Sequence, residues 1–467
     1  MGLSWTRETS VLALLAGLLA WPSGADAETL DSALARAYTG NPTLGAQRAS
    51  VRATDENVPR ALSGFRPSVV GTGQVGINYI NSSGLGTTGG ASTGRSIEDT
   101  LIPRSVGVQV TQNLFNGFRT ENSTRQAESQ VFGAREGLRN VEQNTLFGAA
   151  QAYMNVLRDT AILDLQRNNV EVLEEQLRQT RDRFSVGEVT RTDTAQAESR
   201  VAAARSQVSG AEANLQASIA TFRQIVGVEP RQLAPGRPAD KLVPRTLAGA
   251  VQIGLVEHPA VISALHAVDA AELQVRVTEG ELAPSVNLVG NVAQSYGSSI
   301  GTNQSLSASL LGQLSVPIYQ GGEVYARVRQ AKETAGQRRI EAEATRDQVR
   351  AAIISSWGSL EAAKANVIAA QAQVAAAEVA LTGVREEARV GQRTTLDVLN
   401  QQQELLNARV NLITAQRDRV VASFSVVQSI GRLSAKSLGL NVAQYSAKEH
   451  FDQVRDLPWG VRTPDGR

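Results

Sequence analysis

The chain has 467 residues, with 46 basic against 45 acidic side chains, 42% hydrophobic and only 4% aromatic residues, 40 Gly, 14 Pro and no Cys. The missing cysteine excludes a disulfide scaffold, thiolate metal sites, a cysteine nucleophile and an N-terminal lipid anchor carried on sulfur. A net charge of +1 with no basic stripe excludes a phosphate-neutralising surface, so nucleic acid is not an expected partner. The scarcity of Phe, Tyr and Trp suits long Ala-rich helices and an elongated molecule better than a thick globular core.

In chain order, Val11 to Ala20 (VLALLAGLLA) form an apolar run that follows Arg7 and precedes Pro22 and the small-residue triplet Ala25-Asp26-Ala27. This reads as a secretory signal over residues 1–27, because ten helical residues rise about 15 Å against a hydrocarbon core of about 30 Å. From Glu28 onward no second uninterrupted apolar run nears the ~18 residues a spanning helix needs, so any passage through a membrane is made without transmembrane helices.

The mature chain is two copies of one unit. Thr29-Leu30, Asn41-Pro42, Arg66-Pro67-Ser68-Val69 and Tyr79 recur as Thr246-Leu247, His258-Pro259, Ala283-Pro284-Ser285-Val286 and Tyr296, all at an offset of 217. Further on the offset is 204: Leu114-Phe115-Asn116-Gly117 matches Ile318-Tyr319-Gln320-Gly321, and Val186-Gly187 with Asp193 matches Val390-Gly391 with Asp397. The length difference falls in the Gly/Ser/Thr-rich stretch from Asn81 to Pro103, which reads as an exposed tip loop. The units span residues 28–227 and 246–431, joined by a Pro-rich linker over 228–245, with a tail over 432–467 that has no copy.

Each unit reads as helix, strand, loop, strand, long helix, tight turn, return helix. The leading helices cover Thr29–Gly64 and Thr246–Leu282, and Pro59, without a counterpart in the copy, predicts a bend in the first. The long helices carry Val156, Leu163, Val170 and Leu177, and Leu360, Val367, Val374 and Leu381, at intervals of seven. Ala363, Ala370, Ala377 and Val384 lie three places on, which completes an a/d seam. The return helices repeat the interval in Val201, Val208, Leu215 and Phe222 and in Leu399, Leu406, Ile413, Val420 and Val427, so each packs antiparallel on its long partner. A return helix is half as long as its partner, and a leading helix stacked on its end fills the rest.

Four segments alternate as strands, over residues 67–80, 105–115, 285–296 and 306–316. Val69 and Val75, Val106, Val108 and Val110, Val286, Leu288 and Val292, and Leu306, Ala308, Leu310 and Leu314 form apolar faces opposed by Ser, Thr, Gln and Asn. Strands of about ten residues with one apolar face are what a transmembrane barrel requires. Four strands cannot close a barrel, and an open edge in lipid leaves backbone groups unpaired at several kcal/mol each, so chains must pool strands. Eight strands leave an interior filled by side chains, and twelve lie between that and the aqueous porins, so a conduit favours three or more copies. Tyr79 and Tyr296 would sit at one membrane interface and Phe115 and Tyr319 at the other, as an aromatic belt.

This duplicated plan, the strand exits Leu114-Phe115-Asn116-Gly117 and Ile318-Tyr319-Gln320-Gly321-Gly322, and the turns Phe184-Ser185-Val186-Gly187 and Val390 to Leu399 resemble the TolC family of outer-membrane factors over about residues 28–440. The resemblance implies a membrane α+β fold, a 12-stranded β-barrel built by a homotrimer and continued by a coiled-coil α-helical barrel. It implies a channel tunnel in the outer membrane of a Gram-negative bacterium, extending into the periplasm. There it would dock with a periplasmic adaptor (membrane fusion protein) and an inner-membrane pump, as the exit duct of a tripartite efflux pump or a type I secretion system. Substrates would pass untransformed. By position, Asp193 and Arg393 would form a link that closes the periplasmic end, Asp397 would supply an acidic ring, and Asn400 stands where a second acidic ring is found. Ala388 replaces a common aromatic, so the closed state would be held by fewer hydrogen bonds. Val186, Gly187, Val390 and Gly391 would be the helix tips that meet the adaptor. The residues themselves also fit plain capping: Gly187 and Gly391 end long helices, and Asp193 and Asp397 stand where an N-cap should open the return helices.

Two other classes of function compete with this reading. An enzyme is not expected: His258, His266 and His450 have no second ligand at metal spacing, and no phosphate loop or nucleophile elbow is present. No cofactor is expected either. The alternative is a soluble periplasmic coiled-coil adaptor of an export system, which shares the signal and the heptads but has no use for four alternating strands.

Overall fold

The computed structural model describes residues 28–88, 91–299 and 302–466, so the expected signal over 1–27 lies outside the described residues. Four long rods dominate. The helix α4 (Arg119–Ser185) and its copy α8 (Glu323–Arg389) each have 67 residues, about 100 Å at 1.5 Å per residue. Their return helices, α5 (Arg191–Val226) and α9 (Thr395–Ser429), are half as long. Val156, Leu163, Val201 and Phe222 are buried on the first pair, and Leu360, Ala363, Val367, Ala370, Leu381, Leu399, Leu406, Val420 and Val427 on the second. The buried alanines let the backbones approach closely, as an antiparallel coiled coil with small seam residues requires.

The leading helices break at the Pro dipeptides. The first unit contains α1 (Leu30–Gly40), α2 (Pro42–Asp55) and α3 (Asn57–Leu62); the second has α6 (Leu247–Glu257) and α7 (Pro259–Glu279). Asn41 caps α2 by accepting from the backbone N–H groups of Thr43 (2.9 Å) and Leu44 (3.3 Å). His258 caps α7 the same way through Nδ1, from Ala260 N–H at 3.1 Å. A proline at the first helical position costs no hydrogen bond, so the break is favourable there. The expected bend at Pro59 appears three residues earlier, at Glu56, because the proline has no N–H to bond the carbonyl four residues back.

These breaks are where the short rods stack end to end. Asn41 Nδ2 donates to the carbonyl of Ile225 at 3.0 Å, so one side chain caps the end of α5 and the start of α2. In the copy, Gly431 adopts φ +83° just past α9, and a Cβ there would lie 2.7 Å from His258 Cα. Glycine is required on both counts. A bidentate Arg432–Glu257 pair at 2.8 Å fastens the same junction.

Among the described residues there are six strands rather than four: β1 (Ser68–Val75), β2 (Asn78–Thr88), β3 (Ala91–Leu101), β4 (Arg104–Phe115), β5 (Ser285–Ser299) and β6 (Thr302–Ser315). β1, β4, β5 and β6 form one antiparallel sheet in that order, while β2 and β3 pair only with each other. Residues 81–88 and 91–101 of the stretch expected as a loop are therefore paired as a ribbon separate from the four-stranded sheet. Its Gly/Ser/Thr composition hides the alternation by which a strand is recognised, and main-chain pairing does not need it. The junction falls at Gly76-Ile77 and Ile102-Pro103, where Pro103 offers no N–H to a ladder and Gly76 N–H bonds the Pro103 carbonyl at 3.0 Å.

The main core lies at the waist, where Leu34 and Tyr38 of α1, Leu44 and Val51 of α2, Leu146 and Tyr153 of α4 and Phe222 of α5 meet Phe424 of α9. The linker and the tail wrap it. Tyr153 Oη lies 2.7 Å from the Glu28 carbonyl and 2.6 Å from that of Ala234, and burial pushes its pKa up to about 12. The tail continues past Leu433 and Leu440, both in this core, into α10 (Ala447–Val454) on the outside of α2. There His450 Nδ1 meets the fully buried Asp55 carboxylate at 2.9 Å, Arg135 stands 3.9 Å from its other oxygen, and Phe451 packs on the Arg135 guanidinium. Burial raises the Asp55 pKa, opposed by the His450 hydrogen bond and the Arg135 charge.

Two helical stretches, Leu247–Leu282 and Glu323–Arg389, have windows of mean hydropathy 1.3 and 1.5, apolar enough by composition to cross a membrane. Only 17% of the apolar window of the second is buried within the single chain, and its ~100 Å length is three times a hydrocarbon core.

We predict that His450→Ala, which leaves a buried carboxylate with only the more distant Arg135, destabilises the docked tail by about 1–3 kcal/mol. Limited proteolysis should then cut after residue 446 several-fold faster than in the parent. An unchanged rate would show that the Asp55 clamp does not hold the tail.

Candidate channel wall and helix-tip gate

The registers of the three strand pairings bring most large apolar side chains of the sheet to one face, with Val70, Val289 and Leu311 on the other. Val69 stands beside Val110, which faces Gly290 and then Leu310; Gly71 stands beside Val108, Val292 and Ala308 in the next rung. Polar positions alternate onto the other face: Thr111 pairs with Ser68, Gln109 with Asn291, and Asn291 with Ser309. Both faces are open in the single chain, and Val69, Val106, Leu306, Leu310 and Leu314 are each 60% or more exposed. So large an apolar face on a stable fold belongs against lipid or another protein. The outer strands β1 and β6 have one neighbour each, so each keeps a free edge.

The four belt aromatics do not form two level rings. Tyr296 pairs with Arg104 and Gln304 at the far end of the sheet, whereas Tyr79 lies beyond the junction on β2, with its hydroxyl on Glu98. Tyr79 lies four positions beyond Val75, which shares the Tyr296 rung through Arg104. At the near end Phe115 follows the bulged Leu114 and meets Phe118 edge to face at 5.4 Å, and Tyr319 is 79% exposed just past β6. Phe118, at φ +62°, takes the left-handed conformation that Gly322 takes in the copy.

At the opposite pole each long helix turns through the same device twice. Gly187 (φ +84°) and Gly391 (φ +79°) take the left-handed position, and the following N–H groups of Glu188 and Gln392 reach back to the carbonyls of Arg183 and Glu387, both at 2.9 Å. These bonds close Schellman motifs on α4 and α8. Thr190 and Thr394, not the aspartates, are the N-caps of α5 and α9. Asp193 and Asp397 occupy the third helical position, and each accepts the threonine's backbone N–H (2.9 and 3.0 Å) and hydroxyl (2.8 and 2.9 Å). Thr-x-x-Asp is a reciprocal capping box, readable in the sequence as Thr190 to Asp193 and Thr394 to Asp397. The threonine N–H and hydroxyl hold both carboxyls below the usual carboxylate range, with smaller help from Arg183 and Arg393.

Asp193 and Arg393 are not joined within one chain. Arg393 Nε donates to Glu387 at 2.8 Å on its own turn, which raises its pKa further, and Asp193 is committed to Thr190. Pairing with the nearest charge on the same turn costs less chain entropy than reaching across a gap. Asn400 accepts from Arg200 at 2.8 Å, so α9 is tied to α5 of the other unit at this position, a contact that spacing alone does not disclose. The adjacent Leu399 is buried with Leu173, Val201 and Ala204 of the first hairpin. The hairpins carry matching cross-helix pairs, Glu174–Arg205 at 2.6 Å and Glu378–Arg409 at 2.8 Å, at the same offset of 204. Val186 and Val390 are each 71% exposed at the turns, an identical apolar point on both tips.

Among the described residues no group of three or more His, Cys, Asp or Glu could hold a metal ion.

Comparison with known proteins gives a consistent result. The sequence model of the family described as "Outer membrane efflux protein" matches twice, over residues 33–228 and 250–432. The outer membrane efflux protein BepC of Brucella suis is 42% identical over 97% of this chain and 96% of its own. The outer membrane protein TolC of Escherichia coli is 26% identical over 92% of this chain and 87% of its own. The crystal structure of the Campylobacter jejuni CmeC outer membrane channel superposes with a TM-score of 0.75 at 15% identity, over 97% of this chain and 98% of that one.

Thr190→Ala and Thr394→Ala are each expected to lose about 1 kcal/mol of local helix-start stability, so hydrogen exchange at the tips should quicken about fivefold. Because Asp193 and Asp397 titrate below 3.8 in the folded turns, their contribution is complete above that value and is lost as pH falls through the lower folded value. Tip exchange that ignores both substitutions, or acidification below that window, would refute the capping boxes as stabilising elements.

Proposed function

Because this chain belongs to the outer membrane efflux protein family, we propose that three copies of it join edge to edge into one closed wall. The chain is a TolC-type outer-membrane channel, the exit duct of a tripartite efflux pump or a type I secretion system. The observation that carries the trimer is the open four-stranded sheet. β1 runs away from the helices and β6 runs back toward them, so placing β6 of one copy beside β1 of the next continues the antiparallel order. Closure satisfies the last unpaired main-chain groups in lipid, and twelve strands are enough to leave an aqueous bore. The apolar face then turns to lipid and the Ser, Asn, Gln and Thr face lines the channel. The α-helical rods number four per copy, counting each end-to-end stack as one, and continue the wall as a twelve-rod cylinder.

The tips are read as the closing and docking end. The exposed Val186 and Val390, held out by the turns of Gly187 and Gly391, suit contact with a periplasmic adaptor, which in turn engages an inner-membrane pump. Arg393, Asp397, Asp193 and Asn400 cluster at the tips, where rotation of one hairpin against another narrows or widens the bore. In the assembled wall, Arg393 holds the closed state through Glu387 on its own turn and through acidic groups of neighbouring coils. Asn400 holds α9 against α5 through Arg200. The soluble-adaptor alternative gives way to family membership and to the two-faced sheet. Nothing in this reading transforms a substrate.

Purified protein in detergent should have the mass of three chains, and planar bilayers should show a poorly conducting pore. Arg393→Ala is expected to raise conductance several-fold while leaving the trimer intact. A monomer or dimer would sink the closure argument, and unchanged conductance would remove Arg393 from the gate. Asp397→Ala should weaken block by multivalent cations, and equal block in mutant and parent would refute an acidic ring there.

A further inference from the structure

We infer that the C-terminal segment Leu457-Pro458-Trp459-Gly460-Val461-Arg462 is an interfacial lipid anchor, lying in the headgroup boundary of the periplasmic-side leaflet around the barrel. Three independent placements put it there. The His450–Asp55 contact docks α10 on the leading helices, with Phe451 against the Val58 cluster beside α3. Arg455 extends toward Glu128 near the top of α4, at 3.9 Å. Arg66 then donates to the carbonyls of Leu457 (3.0 Å) and Asp456 (3.2 Å).

Arg66 stands two residues before β1, and Gln112 of β4 donates to the carbonyl of its neighbour Phe65 at 3.0 Å. The tail is thus fastened level with the last rungs of the membrane sheet. Trp459 lies two residues beyond Leu457, at most about 7 Å of chain.

The side chains match that height. Leu457, Trp459 and Val461 alternate along the segment and are 45%, 85% and 100% exposed. The same rim presents Phe65 (54%), Phe118 (62%) and Tyr319 (79%), so the segment continues the sheet's apolar band and does not stand alone on a soluble surface. Tryptophan prefers the membrane–water interface, where its ring meets acyl chains and its N–H meets headgroups. Arg462, next to Val461, supplies a cation for lipid phosphate, the arrangement of an interfacial anchor.

The inference rests on the sheet spanning the membrane, and the test separates the two. The full chain is reconstituted into vesicles of phosphatidylethanolamine and phosphatidylglycerol with or without brominated acyl chains. Fluorescence of the Trp357→Phe protein minus that of the Trp357→Phe/Trp459→Phe protein isolates Trp459. Leu310→Trp in the doubly substituted background reports the outer face of β6. Both signals should be quenched, with about a twofold loss for Trp459 and a blue shift relative to detergent-free peptide. Quenching of the β6 reporter without quenching at Trp459 overturns the anchor and leaves the tail to another protein or to water. Quenching of neither overturns the membrane placement of the sheet, and the anchor with it.

Discussion

The open edges of one four-stranded sheet constrain everything else in this molecule. Main-chain N–H and C=O groups at an edge are tolerable in water and costly in hydrocarbon, and a single chain supplies too few strands to close on itself. The antiparallel order β1-β4-β5-β6 makes the first and last strands run in opposite senses, so identical copies can extend the ladder without a change of rule. In the proposed trimer, repetition completes the wall, and a bore follows from the number of strands. The register reinforces this by gathering most large apolar side chains on one face, Val70, Val289 and Leu311 excepted, which suits that face to lipid and the other to water.

Duplication solves the matching problem below the sheet. A long rod of 67 residues needs a partner along its whole length, and a return helix of 36 or 35 residues covers half of it. The leading helix completes the row, and the joint is made by a capping side chain before a proline. Asn41 serves two helix ends at once. His258 caps only one, and in that unit Gly431 and the Arg432–Glu257 pair close the gap instead. The same geometric need is met by different chemistry in the two halves, as expected when only the position of the joint is constrained. Burial of His258 lowers its pKa and keeps the ring neutral, the state in which Nδ1 can accept the Ala260 N–H.

At the tips, the residues that cap the return helices are the ones proposed to close the bore. A carboxylate engaged by its own threonine is rigidly placed and stays ionised, so Asp397 presents a fixed negative charge rather than a mobile one. Arg393 held by Glu387 is likewise oriented before any neighbouring coil arrives. Pre-ordering lowers the entropy cost of inter-coil contacts, which suits a closure that must form and break. The Arg200–Asn400 bond and the buried Leu399 couple the two hairpins of one chain, so they move as a unit there.

Much of this was legible in the sequence, because the chain repeats and because its periods are physical. Heptad spacing specifies a coiled-coil seam, alternation specifies a two-faced strand, and two constant offsets specify a duplicated plan. The Thr-x-x-Asp boxes were equally legible, although the aspartates draw the eye first and read as caps themselves. What the sequence left open concerns groups whose pairing is not periodic. The β2–β3 ribbon is held by main-chain bonds that any Gly/Ser/Thr sequence can make, the pairing of β4 with β5 joins segments 170 residues apart, and Arg393 finds Glu387 rather than Asp193. The tail gives no local signal at all, since its place is set by residues far away in the chain: Asp55 and Arg66, 395 and 390 positions from their partners, and Arg135 beneath Phe451. Local periodicity is written in neighbouring residues and can be read there; contacts between distant segments exist only once the chain has folded, so tertiary structure alone decided them.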